Sequence, residues 1–200
     1  MTRLAVIDHG AGNLVSIQRA LEVVGAEPRI AERPTDLAGA DAIVLPGVGA
    51  TGAAMARLEE QGLIEPLRSW GGPLLGICVG MQLLFDSSDE DGGPCLGLVP
   101  GTVQAIDGRP LPHMGWNDVR TTNDPLFDGV PSGSLFTFVH SFAAVPDDPS
   151  IVIATTDHGG RFVSAVRDRS SIGVQFHPER SGASGLRVLE NFITEVSHAA

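Results

Sequence analysis

Leu74-Leu75-Gly76-Ile77-Cys78-Val79-Gly80-Met81-Gln82-Leu83-Leu84 is the stretch on which the reading of this chain turns. An apolar run of strand type feeds a Gly-x-Cys-x-Gly turn, and an apolar-patterned helix is predicted to follow it. This is the thiol form of a nucleophile elbow, in which flanking glycines let a sharp strand-to-helix turn push one side chain into the open. A cysteine at a helix N-terminus has its thiolate favoured by unpaired backbone N–H groups and by the helix dipole. On its own, Cys78 also fits the ordinary fate of a free cysteine, a small buried hydrophobe. The rest of the chain has to supply a base.

Ile172-Gly-Val-Gln-Phe-His177-Pro178-Glu179-Arg180-Ser181 supplies one. Ile172–Phe176 reads as a strand, and Pro178 forces His177 out of the helical region. In extended chain, residues i and i+2 project to the same side, which predicts the His177 imidazole beside the Glu179 carboxylate. A nucleophile, a base and an acid that holds the base's tautomer are the three roles of a catalytic triad, here in the order Cys78, His177, Glu179. An isolated His-Pro-Glu is more often an exposed turn. Its pairing with an upstream cysteine elbow favours the triad.

Composition removes other chemistries. The chain has 200 residues, 13 basic side chains that are all arginine, 24 acidic ones and a net charge of −11. That length allows one sizeable core and predicts one domain over 1–200. So acidic a chain is a poor partner for nucleic acid or an anionic membrane. Without lysine there is no Schiff-base chemistry and no phosphate-binding loop of the Gly-Lys-Ser/Thr type. Two cysteines, Cys78 and Cys95, are too few for a disulfide framework, and Cys95 is assigned no function. The first residues run straight into a strand pattern with no signal-peptide core, and no apolar run approaches a membrane span. A cytoplasmic protein is expected. No histidines pair at metal-ligand spacing, so neither metal nor cofactor is expected.

The first half alternates strand and helix signals. Leu4–Ile7 and Ala42–Leu45 read as strands, Leu14–Val24 as a helix with Asn13 as N-cap, and Thr51–Gln61 and Ile64–Trp70 as further helices. Nearly continuous apolar strands separated by helices imply a parallel sheet covered on both faces. The second half reads as short strands and turns: Val99–Ile106, Trp116–Arg120, Leu135–Val139, Ile151–Thr155 and Phe162–Arg167 before Ile172–Phe176, then a helix over Ser184–Ser197. Gly10-Ala-Gly12-Asn13 lacks the third glycine of a dinucleotide fingerprint, so a tight strand–helix turn is the better reading. Catalytic loops are expected at the C-terminal ends of the parallel strands.

Gly76-Ile-Cys78-Val-Gly80-Met-Gln82 together with Phe176-His177-Pro-Glu179 resembles the triad-type, class I glutamine amidotransferases, which release ammonia from glutamine. Pro46-Gly-Val-Gly49, Pro112-His-Met-Gly-Trp116-Asn117 and Phe138-Val-His140-Ser141-Phe142 narrow the resemblance to the glutaminase subunits of imidazole glycerol phosphate synthases, in histidine biosynthesis. It spans the chain from Asp8-His-Gly-Ala-Gly-Asn-Leu to His-Pro-Glu-Arg-Ser-Gly182.

The resemblance implies a flavodoxin-like α/β fold, a mainly parallel sheet flanked by helices. It implies that the Cys78 thiolate attacks the carboxamide of L-glutamine, with His177 moving the proton and Glu179 orienting it. The oxyanion would meet the N–H of Val79 and one from the loop at Val48 and Gly49, a loop thought to need a peptide reorientation. Gln82, His140 and Ser141, with the backbone of Gly47, Gly49 and Phe142, would hold the substrate's two ends. The implied partner is a (β/α)8-barrel cyclase subunit in a heterodimer, faced by Asn13, Met114, Trp116 and Arg180. Arg180 stands where a lysine is frequent in the family and His9 where a tyrosine is common.

Three other readings compete. One is the glutaminase subunit of another synthase, of anthranilate, aminodeoxychorismate or formylglycinamidine type, against which Pro-His-Met-Gly-Trp-Asn speaks. Another is a stand-alone thiol hydrolase, which would act without a partner. The third is a non-catalytic scaffold, against which the complete triad argues.

Overall fold

Short strands made almost wholly of Val, Ile, Leu and Ala bury both faces, and helices must then cover them. The computed structural model of the chain describes residues 1–199. In chain order it contains β1 (Arg3–Ile7), α1 (Leu14–Val23), β2 (Glu27–Ala31), β3 (Ala42–Gly47), α2 (Thr51–Glu60), α3 (Ile64–Arg68), β4 (Leu74–Cys78) and α4 (Val79–Gln82). There follow β5 (Ser87–Ser88), β6 (Gly93–Pro94), β7 (Gly101–Ala105), β8 (His113–Thr121), β9 (Ser134–His140) and β10 (Phe142–Pro146). The last elements are β11 (Val152–Asp157), β12 (Arg161–Asp168), β13 (Ser171–Val174) and α5 (Gly182–Ala199).

A nine-stranded sheet in the order β2-β1-β3-β4-β13-β12-β11-β8-β9 forms the centre, and a four-stranded sheet β10-β7-β5-β6 lies beside it. From β2 to β13 neighbouring strands run parallel. From β13 to β9 each pair is antiparallel. Every residue of β3 and β4 is buried. On α5, Val188, Leu189, Phe192, Ile193 and Val196 are buried at helical spacing, the apolar stripe of a helix lying on a sheet. Arg167 on β12 ties this helix down, reaching Asp124 at 2.7 Å and Glu195 at 2.8 Å.

The first-half elements follow the sequence reading closely. Asn13 caps α1 through its side-chain oxygen, which accepts from Ser16 N at 3.2 Å, and Gly10 and Gly12 turn the chain with positive φ. Three differences have physical causes. The edge strand β2, Glu-Pro-Arg-Ile-Ala, carries too little apolar pattern to be read, and proline is tolerated there because the strand lies at the sheet edge. The chain leaves the nine-stranded sheet at Ser141 and continues as β10 in the other sheet, a change that periodicity does not register.

The expected helix after Cys78 lasts a single turn. Val79 to Phe85 are all buried, so the segment is not amphipathic. Backbone N–H groups of Leu96, Gly97, Leu98 and Val99 take the carbonyls of Leu83, Leu84 and Phe85 that a longer helix would have used.

The glycines of the elbow act by proximity. A Cβ at Gly80 would stand 1.7 Å from the Leu45 carbonyl oxygen, and one at Gly76 would stand 2.5 Å from Gly80 O. Both meet backbone, which cannot step aside as a side chain would. Gly80→Ala is therefore expected to cost about 3 kcal/mol or more. Urea denaturation checks this, against Gly71→Ala, where a Cβ meets nothing within 4 Å.

Candidate active site

β4 delivers Cys78 between two parallel neighbours. The register sets Gly47 of β3 opposite Cys78 and Val174 of β13 opposite Ile77. Three chain ends thus converge at the carboxyl edge of the sheet, where open α/β sheets place their sites. Cys78 itself takes φ 55° and ψ −111°, a conformation that strains a non-glycine residue by about 1–3 kcal/mol. The flanking glycines leave the space, and the cysteine carries the strain. The thiol is 2% exposed. Its sulfur accepts from Gln175 Nε2 at 3.6 Å and faces the Val139 carbonyl at 3.8 Å. One helical turn follows, so free N–H groups at Val79, and not the dipole of a long helix, are what the elbow offers a negative charge.

His177 lies at the end of the neighbouring chain segment, and its Nδ1 is 2.9 Å from Glu179 Oε1. The pairing forms differently from the extended i, i+2 geometry read from sequence. Pro178–Arg180 is a 3-10 turn, begun by the fixed φ of Pro178, and it folds the carboxylate back under the ring. His177 N donates to Thr137 O, and Ser181 Oγ donates to His177 O. A carboxylate only accepts, so Nδ1 carries the hydrogen. Nε2 is buried without a hydrogen-bond partner among the described residues. Burial works against the imidazolium, but the Cys78 sulfur and the Glu179 carboxylate outweigh it and raise His177 to about 10.

Two crevices of about 30 Å³ flank Cys78 and His177, each with room for roughly a water or two. In the first, Cys78 and Val79 meet Gly49, Gln82, His140, Ser141 and Phe142, five of the six residues expected to hold substrate. Gly47 and Val48 border the second instead, with His177, Glu179, Asn13 and Arg180. At its outer side, Asn13 and Arg180 are exposed. Met114 and Trp116 on β8 are exposed to 69% and 58%.

The first crevice also contains Glu90, which the sequence reading missed. No motif or periodicity marks its surroundings, Ser87-Ser-Asp-Glu-Asp-Gly-Gly. In the fold Glu90 Oε2 accepts from Thr51 N at 3.2 Å, and burial, with Asp91 alongside, lifts its carboxyl above the usual range despite that hydrogen bond.

Two expected substrate ligands prove already engaged. Gln82 is buried and donates to Phe142 O at 2.9 Å and Gln175 Oε1 at 3.1 Å. His140 uses both ring nitrogens, one on Phe142 O at 2.8 Å and one on His113 at 3.0 Å. Burial pushes His113 and His140 down to about 4. No group of three or more His, Cys, Asp or Glu among the described residues is placed to hold a metal. A larger cleft of about 370 Å³ between β7, β10 and β12 has no cysteine or histidine in its lining.

A strained cysteine elbow stands beside a histidine–glutamate pair at the carboxyl edge of an α/β sheet, the arrangement of a thiol nucleophile with a base at hand. The family profile described as "Glutamine amidotransferase class-I" matches residues 5–196, and the chain belongs to that family. It is 47% identical over 202 residues to the imidazole glycerol phosphate synthase subunit HisH of Thermosynechococcus vestitus, covering 96% of this chain and 97% of that protein. The HisH subunit of Xylella fastidiosa is 49% identical, covering 96% and 98%. Among solved structures, a putative GMP synthase component from Thermoplasma acidophilum superposes with a TM-score of 0.78 at 22% identity, over 100% of this chain and 96% of that one. That likeness concerns the fold alone.

The histidines set a pH profile for stability. His113 and His140 fall from an ordinary 6.5 to about 4 on folding, so between those values the unfolded chain binds more protons and stability drops as pH falls. His177 has the opposite sign: its contribution is complete below 6.5 and is lost as pH rises towards about 10. Urea midpoints measured from pH 4 to pH 10 should peak near pH 6.5. The acid-side slope should flatten in His113→Phe.

Proposed function

We propose that this chain is the glutaminase subunit of an imidazole glycerol phosphate synthase, working through Cys78, His177 and Glu179. The observation that carries the reading is the geometry at the elbow. A strained, buried cysteine stands at the strand end beside a histidine whose Nδ1 is held by a carboxylate at 2.9 Å and whose Nε2 is free to move a proton. Family membership and the HisH relatives supply the substrate class.

In this reading His177 Nε2 takes the proton of the Cys78 thiol, the sulfur attacks the side-chain carbonyl of glutamine, and the C=O electrons move to oxygen. The N–H of Val79 and of Gly49, both bordering the cysteine's crevice, take that oxyanion. Removing one such donor typically costs about 3 kcal/mol in barrier. As the tetrahedral adduct collapses, the C–N bond breaks and His177 Nε2–H protonates the departing nitrogen, which leaves as ammonia. Water, deprotonated by the now neutral His177, then cleaves the thioester to glutamate and restores the thiol. Glu179 stabilises the imidazolium throughout.

Glu90 is suited to the α-ammonium of glutamine, because it is the carboxylate of the crevice and is partly withdrawn from water. The crevice is too small for glutamine as it stands, so entry needs the Gly47–Gly49 loop or the Glu90 segment to give way. Gly49 at φ +90° allows the loop a change of peptide orientation that a Cβ would resist.

Ammonia in neutral water becomes ammonium, a poor nucleophile, so the product needs a sheltered exit. The second crevice runs past His177 and Glu179 to Asn13 and Arg180. Exposed Met114, Trp116, Leu135 and Val48 offer the apolar contact that protein interfaces bury. A (β/α)8-barrel cyclase subunit, which joins the ammonia to its nucleotide substrate, is the partner proposed for that face. Free, buried cysteines suit a reducing compartment such as the cytoplasm.

Glutamate release is the test, measured for the chain alone and with a barrel cyclase subunit plus its nucleotide ligand. Low turnover alone and many-fold stimulation in the complex are expected, with Cys78→Ser lowering the rate on the order of a thousandfold or more. Brisk turnover without a partner would replace this reading with a free-standing hydrolase. Absence of stimulation would direct the search to other synthases. Within the complex, Glu90→Gln should raise the KM for glutamine roughly tenfold while changing kcat little.

A further inference from the structure

One hydrogen-bonded chain behind the glutamine crevice is not used by the mechanism above. It starts at Asn117, whose Oδ1 accepts from Asp118 N at 2.8 Å. That contact fixes the amide orientation, so Asn117 Nδ2 donates, at 2.8 Å to Asp157 O and at 3.1 Å to His113 Nε2. His113 Nε2 must then accept, which leaves the hydrogen on Nδ1. Nδ1 lies 3.0 Å from His140 Nε2, which must also accept. The hydrogen of His140 is therefore on its Nδ1, 2.8 Å from Phe142 O. Read backwards, the chain agrees: a carbonyl only accepts, so His140 Nδ1 must carry the hydrogen. Both ends impose the same direction.

We propose that His113 is a positioning residue for the glutamine crevice, locking His140 in the Nδ1–H tautomer and thereby fixing the Phe142 carbonyl in its wall. His113 and His140 are directly opposed across β8 and β9. Ser141, which follows His140, is where the chain changes sheets, so the Phe142 peptide sits at a bend. Two donors hold its oxygen, His140 Nδ1 and Gln82 Nε2, and together they occupy both lone pairs. Were His140 to carry its hydrogen on Nε2, a ring lone pair would face that oxygen and the peptide would be pushed out of place. His113 opposes this by donating to Nε2, so that the tautomer does not rest on the Phe142 carbonyl alone. Both rings are buried and stay neutral at ordinary pH, so the tautomers, not charge, set the geometry. The consequence for glutamine rests on the proposed function, whereas the tautomer lock does not.

The test joins 15N NMR of the histidine rings with kinetics of the cyclase complex. In the unaltered protein both His113 and His140 should show protonated Nδ1 and unprotonated Nε2. His113→Phe keeps a ring that can stack on Phe138 and His158, now 4.8 and 4.2 Å away, but loses the donor. It should release the His140 tautomer and raise the KM for glutamine about tenfold, equivalent to ~1.4 kcal/mol. Its kcat, and the rate at which iodoacetamide alkylates Cys78, should stay within roughly twofold. His113→Asn, whose amide can replace Nδ1–H, should recover most of the KM.

Protonated Nε2 on His140 in the unaltered protein overturns the proposal. So does an unchanged KM in His113→Phe, or a fall in kcat and alkylation together with no rescue by His113→Asn. If His113→Phe fails to fold, the ring spectrum of the unaltered protein and the KM of His113→Asn decide. A complex that hydrolyses no glutamine would remove the proposed function and leave the tautomer lock to the NMR result.

Discussion

The approach of Gly80 to the Leu45 carbonyl is the contact on which the site depends. It allows the turn after β4 to close directly against β3, and so puts the Cys78 thiol beside the end of β3 and its glycine loop. A methyl group there would push the elbow outward and carry Cys78 away from the Gly47–Gly49 loop. The closure also forces φ 55° on Cys78. That strain is sustained because Val79 to Phe85 are buried on every side, which leaves the turn no lower-energy arrangement that keeps its apolar contacts.

Around this elbow, three histidines of one protein take different states for reasons of partner, not of depth. His177 is as buried as His113 and His140, yet it is the one favoured as imidazolium. It alone has a carboxylate on one side and a thiol on the other. The other two have each other, an amide, a carbonyl and the neighbouring His158, with no carboxylate among them, and burial, helped by repulsion between the rings, drives them to the uncharged form. In the function proposed above, the charge that moves is thereby kept at His177, and the walls that would hold substrate are built from fixed dipoles.

Much of this was legible in the residues. Cys78, His177 and Glu179 could be named because the chemistry demands those types on particular turns, and the strands that carry them are continuous apolar runs. The Gly49 loop and Phe142 came only through the family resemblance. Glu90 escaped because an acidic, glycine-rich loop looks the same whether it faces water or a cleft. Gln82 and His140 are expected from the resemblance to hold substrate; both line the crevice, and the hydrogen bonds that tie their side chains into its wall could not be read from any pattern. The one-turn α4 was overread, because buried segments lack the two-faced pattern from which helix length is judged. The register of His113 with His140 depends on a hairpin whose turn lies well away in sequence.

The place of β13 has a consequence for how the protein is made. It follows every other described strand of the large sheet in the chain, yet it inserts between β4 and β12 in the middle of that sheet. Until it emerges, β4 presents an open, wholly apolar edge, and the cysteine has been translated long before its base exists. A chain cut short by proteolysis or stalled translation would hold a thiol with no histidine beside it, unable to squander glutamine. It would also expose the edge most prone to pairing with another unfinished copy. The same insertion makes the centre of the sheet depend on contacts distant in sequence, which slows folding. Nascent chains of this protein therefore have more to gain from a chaperone than their short helices would suggest.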